Sequence, residues 1–67
     1  MHMKLVEFKF PNGDFEIDTA VHVPTKGEVM IRRGQAWKVD LVVPGWPPVI
    51  MLEPARELLR SAKVHGD

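Results

Sequence analysis

The sequence predicts a mainly β chain: a small, strongly bent five-stranded antiparallel barrel over residues 3–53, followed by one C-terminal helix over residues 54–64. Three observations point to this architecture. Apolar and polar residues alternate with a period of two through most of the first 53 positions, as in half-buried strands. Turn-forming residues punctuate these stretches at short intervals: Asn12-Gly13, Pro24 to Gly27, Gly34, and the run "PGWPP". After Pro54 the apolar period lengthens to that of a helix.

The first hairpin is the clearest element. In "VEFKFPNGDFEIDTAVHV", Val6, Phe8 and Phe10 fall on one face, with Glu7 and Lys9 on the other. Beyond the turn, Phe15, Ile17, Thr19, Val21 and Val23 alternate with Glu16, Asp18 and His22. Asn12-Gly13 suits a two-residue type I′ turn, which needs a positive φ at both positions. That loop sets Phe10 opposite Phe15, Phe8 opposite Ile17 and Val6 opposite Thr19, with all the large apolar side chains on one face. Pro24 and Gly27 break the chain before the third strand, where Val29 and Ile31 alternate with Glu28, Met30 and Arg32. In the fourth, "WKVDLVV", Trp37, Val39, Leu41 and Val43 form the inward set, and Lys38, Asp40 and Val42 the outward one. A three-residue loop, Gly34 to Ala36, keeps core opposite core by pairing Ile31 with Val39 and Val29 with Leu41. It also sets Arg33 opposite Trp37, within reach of a cation–π contact.

Pro44, Pro47 and Pro48 interrupt the fourth strand, because proline cannot donate to a ladder. "VIMLE" is then a short fifth strand, apolar on both faces. Pro54 suits the first position of a helix. Ala55, Leu58, Leu59 and Ala62 recur at helical spacing, and Gly66 is a natural stop. So short a helix is marginal alone and is expected to dock on the barrel through Leu58 and Leu59.

Sixty-seven residues make a single domain, 1–67, with a thin stability margin. The chain has no cysteine, so disulfides and thiolate metal sites are excluded. His2, His22 and His65 are scattered rather than set at ligand spacing, and no metal or other cofactor is expected. Without such staples, association with a second copy is the remaining way to gain stability. No apolar run is long enough to span a membrane, and "MHMKL" lacks the apolar core of a secretory leader, so a cytoplasmic protein with no membrane role is expected. The formal net charge is zero, which weakens any electrostatic case for nucleic acid. Charge is mildly polarised: residues 1–24 carry two lysines against four carboxylates, and residues 25–67 carry seven basic groups against five acidic ones.

The segments "PTKGEVMI", "WKVDLV" and "VIML", spanning Val23 to Glu53, together resemble the short SH3-like barrels of small phage and mobile-element proteins. The resemblance implies a fold rather than an activity. One SH3-like enzyme family bears comparison: the type II, plasmid-borne dihydrofolate reductases, whose tetramer encloses a central pore. Their pore strand is similar in position to Val49-Ile50-Met51-Leu52 but reads Val-Gln-Ile-Tyr; the Gln and Tyr that line that pore are missing here.

No Ser-His-acid set, Cys-His set or phosphate-cradling glycine loop is present, so no catalytic residue is assigned and an enzyme is not expected. Two groups of contact residues remain. Met30, Val42 and Met51 alternate out of phase with the expected core, and Trp46 stands in a proline-fixed loop, where an indole is held at low entropy cost. Grouped on one side, these four form an apolar interface suited to self-association or to another protein. As an ordinary structural alternative, Trp46 covers an open end of the barrel. The second group is basic: Arg32, Arg33 and Lys38 at one hairpin tip, with Arg56, Arg60 and Lys63 along the helix. It would serve the alternative function of a weak nucleic-acid-binding barrel. The more ordinary role for such residues is a solvated face, and the chain lacks the exposed strand aromatics that act as stacking platforms.

Overall fold

The computed structural model of the protein describes residues 2–55. They form β1 (Lys4–Lys9), β2 (Phe15–Ala20), β3 (Val29–Arg32), β4 (Gln35–Val43) and β5 (Val49–Pro54). These strands make one curled, half-barrel sheet in the order β2-β1-β5-β4-β3.

Pro11 decides the first turn. A two-residue Asn12-Gly13 loop would need an amide hydrogen from Pro11 to complete the closing pair with Asp14, and proline has none. The chain closes one residue earlier instead. Phe10 N donates to Asp14 O at 2.8 Å, and Gly13 N donates to Phe10 O at 3.0 Å. Pro11 thus takes the second position of the turn, which its fixed φ suits, and Gly13 (φ 93) supplies the left-handed residue of the bulge. The Asn12 side-chain oxygen accepts from Asp14 N at 2.9 Å and fixes the loop.

The extra loop residue slips the register by one. Lys9 faces Phe15, Glu7 faces Ile17 and Leu5 faces Thr19. The phase expected for β1 holds, with Val6, Phe8 and Phe10 buried. That expected for β2 is reversed: Phe15 and Ile17 lie on the outer face, while Glu16 and Asp18 share the inner face with Phe8 and Val6.

The second hairpin also departs from expectation. Its turn is the two-residue Arg33-Gly34, both with positive φ (55 and 70), as type I′ requires. Arg32 therefore pairs with Gln35, Ile31 with Ala36 and Met30 with Trp37. Met30 turns inward against the core, leaving Val29 and Ile31 exposed. A register shift in the β4–β5 ladder between Val39 and Leu41 inverts the second half of β4. Val42 consequently packs on the core, while Leu41 and Val43 face solvent.

β5 lies between β4 and β1, antiparallel to the first and parallel to the second. The sheet is therefore mixed rather than wholly antiparallel. A strand with neighbours on both sides explains why "VIML" is apolar on both faces. Pro54 ends β5 and does not open a helix. The remaining residues of the expected helix, apart from Ala55, lie outside the described residues, as do Leu58 and Leu59.

The core is the inner face: Val6, Phe8 and Phe10, Trp37 and Val39 from β4, and Ile50 and Leu52 from β5. Phe10 and Trp37 meet edge to face, with ring centroids 5.0 Å apart. Each fully buried side chain here, such as Phe8 or Ile50, contributes about 1.5–3 kcal/mol by removal from water.

Candidate interaction surface

The inner face changes character at the sheet's two edges. β2 ends one side with Glu16 and Asp18 turned inward, and β3 ends the other with Arg32. Across the opening, Arg32 Nη1 donates to Asp18 Oδ2 at 2.7 Å and lies 3.8 Å from Glu16 Oε1. Arg33 donates through Nε to Glu16 Oε2 at 2.8 Å and through Nη1 to Asp14 Oδ2 at 3.1 Å. The two guanidinium carbons stand 4.4 Å and 4.1 Å from the ring centroids of Phe8 and Phe10, respectively. The expected contact of Arg33 with Trp37 gives way to this stacking; Trp37 Nε1 instead donates to the Arg32 carbonyl at 2.9 Å. Arg32 holds the Asp18 carboxyl below its ordinary pKa, chiefly by their hydrogen bond and then with help from the Thr19 amide. Hydrogen bonds to Glu16 and Asp14 raise the Arg33 pKa in turn.

The basic group considered for phosphate contact is thus drawn onto the chain's own carboxylates at the hairpin tip. Lys38 lies 3.9 Å from Glu53. Arg56, Arg60 and Lys63 lie outside the described residues.

Of the four apolar contact candidates, Met30 and Val42 pack against the core and do not form an outer patch together. Met51 is half-buried on the outer face of β5, beside Leu41. Trp46 is 98% exposed and does not cover the end of the barrel. It lies in the β4–β5 loop, where the Trp46-Pro47 bond is cis. Beside it opens an apolar groove of about 360 Å³, lined mainly by Leu5, Val23, Val42, Pro44, Trp46 and Pro48.

Sequence reasoning missed a further set of exposed apolar side chains. Phe15, Ile17, Leu41 and Val43 are large, exposed and on the outer face, all four having been assigned to the core. The signals that could have found them are Pro11, which excludes the two-residue turn, and Asp40 inside the apolar run of β4, where the bulge falls. Among the described residues, no helix is long and apolar enough to cross a membrane. Comparison with family models, curated proteins and solved structures gives no match.

Proposed function

We propose that this chain is a small, non-catalytic, cytoplasmic protein-interaction module that also associates with itself, in the manner of accessory proteins of the phage and mobile-element kind. The observation that carries this is Trp46: an indole 98% exposed, held between prolines on the rim of an apolar groove. A large aromatic left in water beside an apolar concavity is the arrangement of a contact anchor rather than a core residue. The non-catalytic part draws support from β5, whose Ile50 and Leu52 are in the core and whose Val49 and Met51 offer only apolar atoms outside. The engagement of Arg32 and Arg33 with carboxylates weighs against nucleic acid as the principal ligand, since their charges are already paired within the chain.

A paired capture experiment tests this reading, with the wild-type chain and a Trp46→Ala chain as baits. Because Trp46 is almost wholly exposed, the variant keeps its fold, which circular dichroism checks. Partners retained by the wild type and lost with Trp46→Ala are the expected result. Identical protein sets on both baits would remove Trp46 from the site.

A further inference from the structure

We propose that the groove beside Trp46 takes the C-terminal segment of a second copy of this chain, residues 56–67, with Leu58 and Leu59 as its anchors. This rests on the interaction-module reading and names the partner for its self-association. The groove opens at one end of the half-barrel. Val42 and Pro48 lie there beside the start of β5. Lys4 and Leu5 lie beyond that start, since the parallel ladder sets the later residue Glu7 level with Val49. The walls are apolar, and the volume of about 360 Å³ falls within the range of about 300–1,000 Å³ of small-ligand sites. Lys4 is the one charged residue in the lining. Among the described residues it makes no ion pair. The groove therefore suits apolar side chains with a carboxylate next to them. Residues 56–67 supply that combination in Glu57-Leu58-Leu59. A short segment held in an apolar groove by closely spaced anchors is a recurring mode of recognition.

Reach decides which copy supplies the segment. It starts from a set point, because Ala55 is buried and its N donates to Ala36 O at 3.0 Å. Ala55 follows the far end of β5, six steps from Val49, which is about 20 Å at about 3.3 Å each. The groove extends past Val49, so its centre is farther still. Leu59 stands four residues beyond Ala55 and, even fully extended, reaches about 14 Å. Leu58 and Leu59 thus fall short of the groove of their own chain. A second copy meets no such limit. Two copies set antiparallel about a two-fold axis bring each Ala55 end level with the other's groove. Both grooves are then filled by one reciprocal exchange, which closes the assembly at two chains.

The test is a titration of the full 67-residue chain with a synthetic peptide of residues 56–67, followed by tryptophan emission. With the chain at about 1 μM, peptide up to about 1 mM brackets weak association. A saturable blue shift is expected as the Trp46 indole leaves water. Trp37 is already buried, so Trp46→Ala should lose the shift. A peptide carrying Leu58→Ser and Leu59→Ser should bind about tenfold or more weakly. Glu57→Lys in the peptide should weaken binding about two- to threefold at low salt, and Lys4→Glu in the chain should reverse that preference. Light scattering from about 10 μM to about 1 mM should show the wild-type mass rising from one chain towards two. Trp46→Ala and the doubly substituted Leu58→Ser, Leu59→Ser chain should each stay monomeric. An equal mixture of the two should associate, because one supplies the segment and the other the groove. Circular dichroism checks both folds; should the doubly substituted chain unfold, the peptide titration on the wild-type chain still decides. No peptide shift, a monomer throughout, or no association in a mixture of folded variants overturns the proposal. Other proteins captured through Trp46 while the peptide gives no shift would sink this pairing and leave the interaction-module reading standing. A peptide shift with identical protein sets on the two baits would leave self-association as the use of the groove.

Discussion

Arg33 holds a left-handed backbone (φ 55) at the tip of the β3–β4 turn while its guanidinium reaches Glu16, Asp14 and the face of Phe10. A side chain in that region costs about 1–2 kcal/mol, which glycine avoids. The contacts at the far end of the side chain offset the strain in its backbone, so the two parts can be separated by substitution. Arg33→Ala loses the contacts and keeps the strain; Arg33→Gly loses both. The expected order of stability in urea melts is therefore glycine above alanine, by about 1 kcal/mol. Equal midpoints would mean that the turn does not hold Arg33 at positive φ. Arginine is an unusual residue for this position, and the sequence reading, which keeps core opposite core, places the loop on Gly34 to Ala36 and sets Ile31 opposite Val39. Nothing in local propensity marks Arg33 for a left-handed turn, and the carboxylates that its side chain meets lie some fifteen to twenty residues earlier in the chain.

At the level of elements, both hairpins and the five strands were legible, because alternation and turn residues are local signals. The faces of β2, β3 and the second half of β4 were not. A strand's side-chain period is two, so one added residue in a loop or a bulge exchanges its inner and outer sets. Pro11 made the longer first loop foreseeable, since proline lacks the donor that the shorter one needs. The bulge near Asp40 was less visible: after Asp40, "LVV" is apolar in both phases, and only the pairing with β5 chooses between them. Two lysine substitutions distinguish the phases. Val42→Lys puts a charge against the core and should cost about 1–3 kcal/mol in denaturant melts. Leu41→Lys, next along the chain but facing water, should change monomer stability by no more than about 0.5 kcal/mol. The reverse order would restore the strict alternation read from the sequence. The loop position of Trp46 was legible for a different reason, as its flanking prolines exclude it from any strand; that it stands in water instead of covering the barrel end was not. The exposed positions of Phe15, Ile17, Leu41 and Val43 are hidden from the sequence because the strict alternation there puts all four in the core.

For the molecule as a whole, the half-barrel leaves β2 and β3 as edges, and the arginine clasp spans the opening between them where no ladder does. Edges of this kind invite pairing with other chains, and inward-pointing charged groups are one way of discouraging it. Acid should loosen the clasp. Asp18 has a lowered folded-state pKa, so its contribution is fully present above the unfolded aspartate value of about 3.9 and is lost as pH falls through the lower folded value. Urea midpoints should hold level from about pH 7 to about pH 5 on this account and fall below about pH 4, with a shallower fall in Asp18→Asn. The effect is modest because the side chains are well solvated; identical acid profiles for the two proteins would remove Asp18 from the clasp. The parallel pairing of β1 with β5 has a consequence of another kind. Glu7 finds Val49 only after some forty intervening residues have been made. Until then β5, the strand that joins the two hairpins into one sheet, does not exist, and Phe8 has no Ile50 beside it. Contacts so distant along the chain must close a long loop before they yield any stabilisation, which slows the search for them. Assembly during synthesis is therefore all-or-none and late: a nascent chain that stops short of Val49 carries two separate hairpins, each with one greasy side open to chaperones and to other unfinished chains.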